Sequence, residues 1–319
     1  MAGLKNKGAV TEIVALAMVA LLAMSGLALD GGRLYALRTQ LENVADAAAL
    51  AGAQALPDDP ALAQSLAVSY AENNGLPADH IQVSFADQNH EIFVQVWEET
   101  DLRFMPVVGI RVATVRASSG ALVAAPHGLR GAVPIGVADT NFQMGQLYQL
   151  KVGAGGSNCG ESDNGNFHAL ALGSDDDGNG ASVYEDNLIH GYGGWLNVGD
   201  LVYTKTGDMS KATQDGVDTR IAEDPLATYD HYSPDSPRLL YVPVVSSYDD
   251  INGHKRVKIL GFAAFFLEDY QSGSCGDAIV GRFVHAFTES EIDGKDVSNQ
   301  DFGLRVVKLI PGQASSAGQ

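Results

Sequence analysis

A dense run of hard-oxygen side chains, Asp175-Asp176-Asp177-Gly178-Asn179-Gly180 followed by Asp186, is the part of this chain best suited to bind an ion. The order fits the D-x-[DN]-x-[DN]-G loop that wraps Ca²⁺. Asp175, Asp177 and Asn179 would offer side-chain oxygens, Ala181 its carbonyl, and Asp186 the closing position, while Gly180 permits the turn. The closing ligand is Asp where Glu is usual, and Ser182 stands where an apolar residue is usual. No helical pattern precedes the run, so the expectation is an isolated calcium loop. The competing reading is an acidic solvated turn, because Asp, Asn and Gly favour turns for backbone reasons alone.

Two cysteines, Cys159 and Cys275, are the other reactive groups. In an oxidising compartment they are free to pair, and a disulfide is the expectation there. Two separate thiols in Gly-flanked loops are the alternative, since sequence separation says nothing about the distance a bridge requires. Enzyme chemistry has little to stand on. HExxH, GxSxG and Walker sequences are missing, and the histidines at 168, 190, 231, 254 and 285 are scattered. Gly153, Gly155 and Gly156 fail the dinucleotide spacing and read as a loop. The expectation is a protein without catalytic activity.

Charge narrows the partners. Lys plus Arg number 20 against 39 Asp plus Glu, a net charge of −19. Up to Pro134 there are 8 basic and 13 acidic residues, so most of the excess lies downstream. Such a surface repels a phosphate backbone, and nucleic acid is not an expected partner.

The element that must carry this acidic region is at the N-terminus. Lys5 and Lys7 precede an uncharged apolar run, Ile13 to Leu29. As a helix it would cover roughly 26 Å, near the lower limit for a bilayer core. The basic side stays cytoplasmic, which sends everything after Asp30 outside. A cleaved signal peptide is the alternative, with Ala23-Met24-Ser25 as a passable cleavage site. Against it, the helical pattern continues past the membrane edge. Apolar residues recur at Leu34, Leu37, Leu41, Val44, Ala48, Ala51 and Ala55, in steps of three and four. The spacing predicts one helix from Ala9 to Leu56, on the order of 70 Å long, ended by Pro57. Its small residues from Val44 onward would let a neighbour approach closely, and Gly31-Gly32 reads as a soft joint at the membrane surface.

Gly8-Ala9-Val10-Thr11-Glu12, the apolar run, Asp30-Gly31-Gly32-Arg33-Leu34-Tyr35, Arg38-Thr39-Gln40-Leu41 and the stretch Ala45 to Ala53 together resemble the start of TadE/TadG-like proteins of Tad (Flp) pilus assembly. The resemblance implies a pilin-like long helix with antiparallel strands, and a place among other pilin-like subunits. It also implies that Gly8 and Glu12 mark prepilin-peptidase processing, with Glu12 pairing with a neighbouring subunit's new amino terminus. Glu12 is fourth after Gly8, whereas pilins usually place it fifth after the cut; cutting before Gly8 restores the spacing. The other reading of Glu12 is a helix N-terminal acid favoured by the macrodipole.

Downstream, Asp59 and Pro60 start a short helix with Leu62, Leu66 and Tyr70 as its apolar face, closed by Asn74-Gly75. Ile81-Val83-Phe85 and Ile92-Val94-Val96 flank a polar turn and predict a hairpin, with a third strand over Arg111 to Val123. Beyond a Pro- and Gly-containing linker, Leu147–Val152, Phe167–Leu172, Leu201–Thr204, Leu239–Val245, Val257–Leu267, Ile279–Phe287 and Phe302–Ile310 read as strands of a sandwich or barrel. The expected class is α+β. A leader over 1–8 and a membrane-spanning, extended helix over 9–56 come first. A small α+β unit over 57–125 and a β-rich extracellular domain over 126–319 follow. The expected function is a minor pilin or pilus-associated surface component; the alternative is a membrane-anchored binding or adhesion module, calcium-dependent if the loop is occupied.

Overall fold

The computed structural model describes residues 6–138, 141–151, 167–173, 180–205, 209–246, 256–272, 277–290 and 300–312. It divides into two compact units, Met1–Leu122 with Lys308–Gln319, and Val123–Val307.

The first unit is organised by α1 (Asn6–Ala53), a single helix of 48 residues and about 72 Å. It stops three residues before Leu56. There the chain tightens into i→i+3 bonds, Ala55 N to Gly52 O at 3.2 Å and Leu56 N to Ala53 O at 3.1 Å. Helical geometry is disfavoured for the residue before a proline, and the last turn unwinds ahead of Pro57. Helix α2 (Pro60–Asn73) begins as expected: the Asp59 carboxylate accepts from Leu62 N at 2.9 Å, and Pro60 needs no donor in the first turn. Gly75 closes it with φ +94°.

The buried face of α2 differs from the expected one. Ala63, Ala67 and Ala71 are buried, whereas Leu62 and Tyr70 are each 48% exposed. The reason lies on α1, where Ala45, Ala48, Ala49 and Ala53 are fully buried. Two alanine faces let the helix backbones approach closely, and a Leu or Tyr between them would hold them apart. At Gly52 an added Cβ would lie 2.4 Å from Ile92 Cδ1 and 2.9 Å from Ala63 O, so only glycine fits. Strands β1 (Ile81–Ala86), β2 (Glu91–Asp101) and β3 (Val112–Ala124) form an antiparallel sheet. The hairpin pairs Ile81 with Val96, Val83 with Val94 and Phe85 with Ile92, which is the apolar alternation of the two runs.

The second unit contains the short strands β4 (Gly128–Leu129) and β5 (Ile135–Val137), then β6 (Leu147–Lys151), β7 (Phe167–Ala171), helix α3 (Ala181–His190), β8 (Leu196–Asn197), β9 (Leu201–Thr204) and helix α4 (Ser210–Glu223). It continues through β10 (Leu239–Val245), β11 (Arg256–Gln271), β12 (Ala278–Val284) and β13 (Ala286–Phe287); β14 (Leu304–Pro311) begins here and ends in the first unit. Hydrogen bonds run β10-β5-β7-β9-β11 and return from β11 to β10, a closed circuit of the barrel kind, with β12 and β6 continuing beyond β11. The 16-residue β11 crosses the middle, and both its faces are buried. Ala263, Phe265 and Leu267 enter one core, and Phe262, Ala264 and Phe266 the other. Tyr184 and Leu188 of α3 and Ala212 and Val217 of α4 cover the first of these cores. Neither helix follows from the strand pattern: α4 buries Ala212, Thr213, Gly216, Val217 and Arg220, a face too small and polar to register as an apolar stripe.

Candidate functional site: the N-terminal helix and its clasp

Along α1 the exposure of apolar side chains changes with position. Ile13, Leu16, Leu21 and Leu29 are exposed, Leu16 to 72%. From Leu41 on, Leu41, Val44, Ala48 and Ala51 are buried on the seam of three- and four-residue steps. That seam continues toward the N-terminus through half-buried Leu37 and Leu34 to buried Asp30 and Gly26. A carboxylate therefore stands on an otherwise apolar stripe.

Asp30 is 3% exposed. Its Oδ1 accepts the backbone N–H of Arg103 at 3.0 Å, and its Oδ2 accepts those of Phe104 and Met105, both at 2.8 Å. These amides open the 3₁₀ turn Met105–Val108 at the tip between β2 and β3, so Asp30 caps a turn on a distant segment. Arg33, one turn along α1, donates from Nη1 to Asp101 O at 3.2 Å. Burial pushes the Asp30 carboxyl upward, but the amides of Met105, Arg103 and Phe104 and the charge of Arg33 outweigh it and hold it below its ordinary value. At Gly26 an added Cβ would lie 2.5 Å from Phe104 Cβ, so the tip packs directly on the helix there. Gly31 and Gly32 continue the helix with open space around them.

The expected soft joint at Gly31-Gly32 is continuous helix, and the clasp made by Asp30 beside it does not follow from the sequence pattern. The available signal was positional: Asp30 lies one turn before Leu34, on the same three- and four-residue seam. Of the expected processing and assembly residues, Gly8 and Glu12 lie in α1, one turn apart, and Glu12 is exposed. Of the calcium set, Ala181 is the first residue of α3 and Asp186 faces His190 at 3.9 Å on the same helix; Asp175, Asp177 and Asn179 lie outside the described residues. Cys159 and Cys275 also lie outside them. Among the described residues no group of three His, Cys, Asp or Glu side chains could hold a metal.

The buried polar groups of the second unit have structural roles. Tyr184, pushed up to about 12 by burial, bonds Thr213 Oγ1 at 3.0 Å, joining α3 to α4. Arg220, lowered to about 10 by burial, donates to the carbonyls of Leu188 and Pro237. Arg238 donates to those of Leu267 at 2.9 Å, Ala227 at 2.8 Å and Glu268 at 3.0 Å. Guanidiniums whose N–H groups are taken by carbonyls tie loops together and keep few donors for a substrate. An open cleft of about 410 Å³ is bordered by Gly173, Tyr192, Asp200 and Leu201. The Asp200 carboxylate there accepts from Asn197 N at 2.8 Å, holding the β8–β9 turn.

One helix in the described chain is long and apolar enough to cross a membrane, and it lies near the N-terminus. A helix exposed and apolar at its start, and packed through small residues onto an α+β unit at its end, is consistent with a single-pass anchor or a pilin-like N-terminus. More particularly, residues 8–55 match the family model of the TadE/G-like Flp pilus-assembly domain. Neither a curated protein nor a solved structure matches the chain.

Proposed function

We propose that this chain is a minor pilin or pilus-associated surface component of a Tad-type (Flp) pilus, with a structural rather than catalytic role. The observation that carries the reading is the division of α1, with exposed apolar side chains over Ile13–Leu29 and a small-residue seam buried in the fold beyond Leu41. Exposed apolar helix has to be covered by lipid or by other helices, and a pilin-like subunit uses both in turn. The TadE/G-like match over 8–55 covers the same stretch. Its partners are then the cytoplasmic membrane, other pilin-like subunits through α1, and a prepilin peptidase acting near Gly8. The second unit, with its own two cores, faces outward.

The test is Glu12→Ala in cells that express the pilus system. Loss of the chain from sheared filaments, with normal membrane insertion, supports the assembly role. Unchanged filaments containing the variant at wild-type level count against it. They favour instead an anchored binding module whose helix is only a tether.

A further inference from the structure

The β2–β3 tip is apolar and exposed where it meets the membrane end of α1. Between Arg103 and Arg111 the chain reads Phe104-Met105-Pro106-Val107-Val108-Gly109-Ile110. Phe104 is 45% exposed, Ile110 47% and Val107 88%, so the segment shows its hydrophobic side chains outward. It is also well built. Leu102 N donates to Arg111 O at 2.8 Å at its base, Ile110 N to Met105 O at 3.2 Å across it, and Gly109 takes φ +93° to close the turn. Asp30 grips one side through three amides, and Phe104 Cβ packs on Gly26. Gly26 lies one turn on the membrane side of Asp30, about 6 Å along the axis. The tip therefore runs down beside the uncharged part of the helix, within the roughly 5–10 Å over which interfacial elements sink into a bilayer.

We infer that the Phe104–Ile110 tip is a second membrane contact, a wedge seated in the outer headgroup and acyl boundary beside the point where α1 emerges. The occupant is lipid because Phe104 of the tip packs on Gly26, within the stretch of α1 whose apolar side chains are exposed up to Leu29. Arg103 and Arg111, both exposed, flank the apolar residues at the level where anionic headgroups lie, a charge pattern suited to them. The clasp gives the contact a purpose. A helix alone can tilt and rotate in the bilayer, whereas a helix clamped to a wedge of fixed direction holds the small α+β unit packed on it at one height and one rotation. The inference rests on α1 crossing the bilayer.

The full chain is inserted in vesicles of phosphatidylcholine and phosphatidylglycerol, with Cys159→Ser and Cys275→Ser, and a nitroxide is placed at Val107→Cys or Ser84→Cys. Ser84 is exposed on β1, opposite Phe93 and far up the hairpin from the tip. The expected result is relaxation of the 107 label by oxygen more than by a water-soluble nickel chelate, and the reverse at 84. A 107 label relaxed like the 84 label, in protein that resists carbonate extraction, overturns the wedge and leaves the anchor standing. A 107 label shielded from both reagents also overturns it, by placing the tip against protein. Release of the protein by carbonate removes the anchor reading and the wedge with it.

Discussion

The Asp30 carboxylate on α1 accepts the backbone N–H of Phe104 at 2.8 Å across 74 positions of sequence, and so fixes the β2–β3 tip to the helix. Its neighbours Arg103 and Met105 donate to the same carboxylate. A charge on a buried stripe is costly unless it is hydrogen-bonded, and three amides engage both of its oxygens.

The clasp has a pH dependence of known sign. Because its folded-state pKa is depressed below 3.8, Asp30 contributes stability that is fully present above that value. The contribution is lost as pH falls through the lower, folded value. Asp30→Asn at neutral pH should mimic the protonated group. Exchange of the Arg103, Phe104 and Met105 amides should then quicken by about tenfold or more, as expected on losing bonds to a charged acceptor. Hydrogen exchange resolved to this tip measures it, and unchanged protection in the variant would exclude the clasp.

Glycines on α1 should divide by neighbourhood. Gly31→Ala and Gly32→Ala meet open space and should stabilise the helix by about 0.5–1 kcal/mol each. Gly52→Ala meets Ile92 and the Ala63 carbonyl and should destabilise by about 1–3 kcal/mol. Thermal unfolding in one detergent compares the three, and a Gly52→Ala protein more stable than wild type would contradict the close approach of α2.

Processing near Gly8 is read from the mature N-terminus by mass spectrometry. A chain beginning at Gly8 or Ala9 is the expected product, because either leaves Glu12 about one helical turn from the new amine, close to the spacing that the pilin resemblance implies. A mature chain beginning after Ser25 would mean that the apolar run was a signal peptide.

For the acidic run at 175–186, calcium occupancy should raise the melting temperature of the outer region, since a ligand of the folded state stabilises it by mass action. Affinities of about 10⁻⁴–10⁻³ M suffice outside the cell. Asp175→Ala with Asp177→Ala should abolish the rise and leave the calcium-free protein little changed. Equal melting of wild type in millimolar calcium and in chelator would reduce the run to an acidic turn.

Cys159 and Cys275 of exported protein should resist alkylation until reductant is added. Their bridge should stabilise the outer region by about 2–4 kcal/mol. Ready labelling of both thiols in unreduced, folded protein would refute the pairing.

Local pattern determined much of this protein. The charge-free run, the three- and four-residue seam through Leu41, Val44, Ala48 and Ala51, the Asp59 cap and the register of the first hairpin all follow from residues close in sequence. So do the strands Leu201–Thr204 and Leu239–Val245, whose bounds match the apolar runs. These are legible because helix and strand periods are set by the backbone and repeat every few residues. Tertiary structure alone decided which side of α2 is buried, since that depends on how small the facing seam of α1 is. It also decided that α4 is a helix, because a face of Ala212, Gly216 and Arg220 becomes buried only once a sheet lies beneath it. The clasp belongs to the same class. Nothing local marks the amides of Arg103 to Met105 as donors awaiting a carboxylate, and Asp30 acquires its role only when the fold brings the β2–β3 tip to the helix, where a buried charge has to be satisfied.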